Sequence, residues 1–195
     1  MSQHSSQVMA GGDRRVRRTR AALFEAAVRL VSERGTTSIA VTELADAAGV
    51  SRQVVYLQFG DRESLLAAAA MDLTERELYP LLPDLGEDTL RHRIHSAARH
   101  LAGHHRFYRA LVTGSCGFAL RTAAIRSFED LHRRNPVPVL ENMRPHTAAA
   151  GTFLVGGVMA VIDDWLLETE REPDPTVLAE RLLAMAAHFT DLRPR

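Results

Sequence analysis

Val41–Leu66 reads VTELADAAGVSRQVVYLQFGDRESLL, two very short helical segments on either side of a glycine turn. Thr42 is the expected N-cap of TELADAA, Gly49 its stop, and Ser51 the N-cap of RQVVYLQ. Each segment is too short to hold its own hydrogen bonds in water, so packing must hold it. Two helices that cross steeply over such a turn need a small residue at the crossing, and Ala45 supplies it. Gly49, four residues on, tolerates the positive φ of the turn. Leu44, Ala48, Val50 and Val55 fall where the pair must be apolar to lock. This spacing predicts a helix-turn-helix.

Upstream, Leu23, Ala26, Ala27, Leu30 and Val31 recur at three- and four-residue steps within Arg14–Arg34, and Gly35 gives a left-handed stop. Residues 1–12 are small and polar and read as a disordered arm. Downstream, Asp61 caps ESLLAAAAMDLTERELY, which ends before Pro80 and Pro83. Further helical periods run over roughly 87–103, 105–113, 117–134, 147–171 and 175–192, broken at RRNPVPV, Arg144-Pro145 and EREPDP. The expected fold is all-α with about nine helices. It divides into an N-terminal three-helix helix-turn-helix domain and a C-terminal helical domain.

The 195 residues carry no net charge, yet the charge is uneven. Met1–Arg62 holds nine arginines against six carboxylates, a net +3 that leaves −3 for the remainder. An electropositive head on an acidic body suits a protein that docks one end on a polyanion. All 24 basic residues are arginine. One cysteine, Cys116, excludes an internal disulfide and a multi-cysteine metal site. The N-terminal MSQHSSQVMAGGDRR lacks the apolar core of a signal peptide, and no apolar run reaches membrane-spanning length, so a cytoplasmic protein with no membrane partner is expected.

An enzyme is not expected, because the chain has no glycine-rich phosphate loop, HExxH run, nucleophile motif or carboxylate pair. Neither a cofactor nor a metal is expected. His92 and His95, and His100 and His104, are spaced to chelate. However, Ile94, Ala97, Ala98 and Leu101 define a different, apolar face, which predicts that several of these histidines meet solvent.

From Arg20 to Leu66 the chain resembles the N-terminal domain of TetR-family regulators. The resemblance is carried by an arginine-rich helix ending in ERG, by TELADAAGVS, by Tyr56 and Phe59, and by Asp61-Arg62-Glu63 before two leucines. It implies a sequence-specific DNA-binding transcription regulator, usually a repressor released from a palindromic operator by a small-molecule ligand. Activation, or action through a protein partner, is the alternative. It further implies a DNA-binding domain over 13–62, a connecting helix over 61–79 and a ligand-binding and dimerisation domain over 63–195. By the same resemblance, Ser51–Gln58 lies in the major groove, and Thr42, Tyr56 and Arg62 hold phosphates. At the start of that helix, Arg52 and Gln53 are the expected base readers, since their side chains can chelate guanine and adenine edges, and Val54 can meet a thymine methyl. Ser51, Gln58, Arg17 and Arg18 complete the expected DNA-binding set. Gln58 replaces the family's usual aromatic or histidine, and Arg62 stands where lysine is usual.

For the C-terminal half the resemblance implies a homodimer through helices over about 147–171 and 175–192. Gly156, Gly157 and Ala160 would permit close approach there, beside the apolar Val158, Val161, Trp165, Leu178, Leu182, Met185 and Phe189. Phe107, Tyr108, Phe128 and Trp165 are candidates for lining the site of an inducer, although aromatics at such spacing also suit a core.

Overall fold

The computed structural model describes residues 2–81, 87–134, 147–168, 171 and 173–191, with side chains over 14–81, 90–127, 129–130, 149, 151–168, 171 and 173–187. Among these residues there are nine α-helices, one 3-10 turn and no strand. The helices are α1 (Ser2–Arg34), α2 (Val41–Ala47), α3 (Arg52–Phe59), α4 (Arg62–Glu77), α5 (Glu87–Gly103), α6 (His105–Thr113), α7 (Gly117–Arg134), α8 (Thr147–Leu167) and α9 (Pro175–Asp191), with the 3-10 turn at Tyr79–Leu81.

Three local expectations change. Residues 2–12, expected as a disordered arm, continue α1, which spans 33 residues. Adding a residue to a helix already nucleated by a packed segment needs little beyond one further hydrogen bond, so even Gly11 and Gly12 can be carried. Second, Thr42 is not an N-cap. Ala40 is, its carbonyl accepting from the Glu43 and Leu44 amides, and Thr42 lies inside the first turn of α2. Third, Ser51 occupies the N-cap position of α3 but its side chain makes no capping bond. Asp61 does cap α4, its carboxylate accepting from the Ser64 amide at 2.6 Å.

The turn between α2 and α3 closes by the Schellman pattern. The Val50 amide reaches back to the Ala45 carbonyl at 2.9 Å and Gly49 to Asp46 at 3.0 Å, with Gly49 at φ 66°. The two helices are thus fixed at their junction by backbone bonds that only a left-handed residue permits.

Around this turn, Leu23, Ala27 and Val31 of α1 pack with Leu44, Ala45 and Val55, all at most 1% exposed. The same core continues without a break into the body. Helix α4 is its axis: Leu65, Leu66, Ala67, Ala69, Ala70 and Leu73 are all buried, and α1, α3, α6 and α7 all pack on it. Its run of four alanines follows from this, since a helix covered on several sides must be slim. Helix α5 lies against α9, and α8 packs on α6, α7 and α9.

Candidate nucleic-acid interface

On α3 the helical period sorts the side chains into three sets. Val55 is fully buried and Phe59 half-buried against the core. Arg52, Gln53, Tyr56 and Leu57 are exposed, Tyr56 by 53% and Leu57 by 84%, and share the outward face. Val54 and Gln58 turn sideways and, with Ser51, border an open groove of about 530 Å³ whose other wall is α1, through Arg15 and Thr19 among others. Of the expected DNA-binding residues, then, Arg52, Gln53 and Tyr56 stand together, whereas Ser51, Val54 and Gln58 face the groove. The Gln58 Oε1 is buried with no partner. Thr42 is exposed on α2, and Arg17 and Arg18 are exposed on α1.

One feature of this face, the exposed Leu57, is absent from the expected DNA-binding residues. Leu57 follows Gln53 by four residues, the helical offset that places it on the same face. Arg15 is the α1 arginine that shares the groove, one turn before Thr19.

Helix α3 is held at its far end by aromatic and cationic packing. The Phe24 and Phe59 rings meet edge to face with centroids 5.6 Å apart, and the Arg20 guanidinium lies over both, 5.3 and 4.8 Å from their centroids. A contact of this kind contributes roughly 0.5–2 kcal/mol. Gly60, at φ 82°, then turns the chain, its amide bonding the Tyr56 carbonyl at 2.9 Å. Arg34 and Glu43 form a two-pronged ion pair that ties the end of α1 to α2.

Arg62, expected as a phosphate ligand, is drawn inward. Its guanidinium donates to Glu63 Oε1 at 2.6 Å and to the Ile39 carbonyl at 3.5 Å, and its Nε is buried without a partner. The same Glu63 oxygen accepts from Ser115 Oγ at 2.8 Å. Those bonds, Arg62 first and Ser115 second, hold the Glu63 carboxyl below its ordinary value.

This is also where body meets head. Arg106 of α6 donates to the Glu33 carbonyl at 3.0 Å. In the loop after α6, Gly114 lies so close to the buried Thr37 that an added Cβ would meet the Thr37 hydroxyl at 2.1 Å. Beside it Cys116 is fully buried, and burial pushes its thiol above the ordinary range.

Of the aromatics expected to line an inducer site, the three that are described are buried. Phe107 is 0% and Trp165 1% exposed, and the Trp165 indole N–H donates to the Asp174 carbonyl at 3.2 Å, joining α8 to the start of α9. Tyr108 is buried beside Phe107, centroids 5.4 Å apart, with its hydroxyl among polar partners. The Phe128 side chain lies outside the described residues. Trp165, Leu178 and Leu182, expected on a surface for a second chain, are likewise buried within this one.

Residues 23–69 match the model of the family described as bacterial regulatory proteins, tetR family. No curated protein sequence matches the chain. Among solved structures, RolR in complex with resorcinol is 26% identical, with 93% of this chain and 96% of that one covered and a TM-score of 0.61. NalD, the secondary repressor of the MexAB-OprM multidrug efflux pump in Pseudomonas aeruginosa, is 23% identical over 89% of this chain and 96% of its own, TM-score 0.52. The fatty acid degradation regulator FadR from Bacillus halodurans is 18% identical over 85% and 93%, TM-score 0.54. With the helix-turn-helix inside the matched segment and the all-helical body sharing the fold of these regulators, residues 23–69 form a DNA-binding domain of the tetR type and the chain is a DNA-binding transcription regulator.

Proposed function

We propose that the chain is a repressor that binds a palindromic operator as a homodimer and is released by a small molecule. One observation carries the DNA half of this reading: Arg52, Gln53 and Tyr56 stand exposed on one face of α3, beside a groove bordered by Arg15. Arg52 and Gln53 read base edges in the major groove, each bidentate contact discriminating by roughly 1–3 kcal/mol. Thr42 and Tyr56 hold phosphates, with Arg62, fixed by Glu63, as the third anchor. Arg17 and Arg18 follow the backbone beyond the groove, and Val54, Ser51 and Gln58 support the helix from its flank.

Residues 13–62 serve as the DNA-binding domain, α4 as the connector and the rest as the effector and dimer domain. Dimerisation is supported by the outer stripe Gly157, Ala160 and Leu167 of α8, small residues followed by a leucine 45% exposed, and by Met185 of α9, 47% exposed. Release by a small molecule is supported by RolR, which was solved with resorcinol.

Selection of bound duplexes from a random library, followed by binding at several salt concentrations, tests the reading. An enriched near-palindrome is expected, with half-sites about one helical turn apart or a modest multiple of it. Steeply salt-dependent binding with no enriched sequence would overturn base reading by α3.

A further inference from the structure

We propose that Glu77, His100 and His104 form a binding site for a divalent transition-metal ion, at the seam where the end of α4 meets the junction of α5 and α6. The three residues come from separate places in the fold. Glu77 is the last residue of α4, His100 lies in the last turn of α5, and His104 occupies the N-cap position of α6. One ligand atom from each lies within 4.8 Å of the others, and among the described residues this is the one group of three so arranged. His104 Nε2 is hydrogen-bonded to Glu77 Oε2 at 2.6 Å, a bond an ion would replace, and His100 Nδ1 is 3.6 Å from the same oxygen. A tetrahedral ion with ligands near 2.0–2.1 Å sets neighbouring donors about 3.3 Å apart. The two observed separations bracket that value.

Proton bookkeeping assigns the atoms. The Thr74 hydroxyl donates to the Ala70 carbonyl at 3.0 Å, which uses its one proton. Its oxygen can therefore only accept from the Tyr108 hydroxyl, 3.2 Å away. Tyr108 has then spent its own proton and must accept from His100 Nε2–H at 2.8 Å. His100 is left with its lone pair on Nδ1, aimed at a carboxylate oxygen. Two electron-rich atoms facing one another are favourable only with a cation between them.

The relay from His100 through Tyr108 and Thr74 is also the support a ligating histidine needs, its second ring nitrogen engaged so that the ring cannot turn. Two imidazoles and one carboxylate select zinc and its neighbours cobalt and nickel, rather than magnesium or calcium, which take oxygen ligands. Three protein donors leave a further coordination position for water or an exogenous donor atom. The spacing of His100 and His104 hinted at chelation, but the expectation that such histidines meet solvent fails at His100. Glu77 lies more than twenty residues upstream, where no local pattern could announce it.

The test is titration of the full-length, tag-free chain with Co²⁺, followed by its visible absorption, and with Zn²⁺ by calorimetry. One equivalent is expected to bind, with a tetrahedral Co²⁺ spectrum that Zn²⁺ abolishes and excess Mg²⁺ does not. Glu77→Gln and His104→Ala should each weaken binding at least tenfold, and His92→Ala, exposed on α5, should leave it unchanged. Should His104→Ala lose its helical circular dichroism, Glu77→Gln alone carries the comparison. Absence of Co²⁺ and Zn²⁺ binding below millimolar concentration would overturn the proposal, as would variants that bind like the parent.

Discussion

In the head, Arg52, Gln53, Tyr56 and Leu57 reach the surface together because each is one residue or one helical turn from the next. In the body, Glu77, His100, Tyr108 and Thr74 meet only because three helices pack in one arrangement. The first kind of site survives as long as a short helix stays helical and docked, and its side chains act almost independently. The second exists only if the core around α4 is correct, and its members depend on one another for their protons. A surface that must read many DNA sequences over evolutionary time gains from the former, because single substitutions retune it without refolding the protein. A site that must hold one small species in a fixed geometry gains from the latter.

That contrast can be broken at its strongest point in the body. Trp165→Ala removes a side chain 1% exposed together with its bond to Asp174, and should cost about 3–5 kcal/mol in urea unfolding. The fraction that remains folded should bind DNA with unchanged sequence preference. Altered preference would show that the head is not independent of the body's packing.

On the head, Arg52→Ala should leave unfolding nearly unchanged while discrimination at one base pair of each half-site falls by roughly 1–3 kcal/mol, measured against a panel of operator variants. Equal losses on every variant would reassign Arg52 to the phosphates.

A smaller effect is expected at the joint between the two regions. Asp61→Ala deletes the cap on Ser64 and should cost about 1 kcal/mol of stability, with Asp61→Asn recovering part of it. No change in the unfolding midpoint would mean that water replaces the cap at no cost.

The smallest effect concerns pH. Because Glu63 is held below its ordinary value of 4.5, its contribution to stability is complete above that value and is lost as pH falls through the depressed one. Glu63→Gln should therefore flatten the acid limb of the stability profile, and Ser115→Ala should flatten it less, in the order of their hydrogen bonds. A profile unchanged in Glu63→Gln would remove this carboxylate from the acid response.

How much of this was legible in the sequence follows the same division. The helix-turn-helix could be read because local rules fix it: Gly49 must turn left-handed, Ala45 must be small, and Val55 must be apolar. Helix boundaries in the body were readable from proline and apolar period, but the destinations of their side chains were not. Trp165 and Leu178 look alike whether they cover a second chain or fill their own core, and only the arrangement of α6, α8 and α9 decides. The surroundings of Gln58 and Arg62 were hidden for a related reason: that Gln58 borders the groove beside α1, and that the Arg62 guanidinium lies between Glu63 and the Ile39 carbonyl, follows from how the helices dock and not from residue identity. Thr42 was misplaced as a cap by two residues, because Ala40 offers no side-chain signal at the position the backbone uses.

The approach of Gly114 to Thr37 limits how this regulator can be recombined. A chimera joining its head to the body of a relative inherits residue 37 from one parent and residue 114 from the other, and any side chain at 114 meets the threonine hydroxyl at 2.1 Å. Successful fusions will be those that keep glycine at 114, or that carry the loop Gly114–Cys116 along with the head as if it belonged to it.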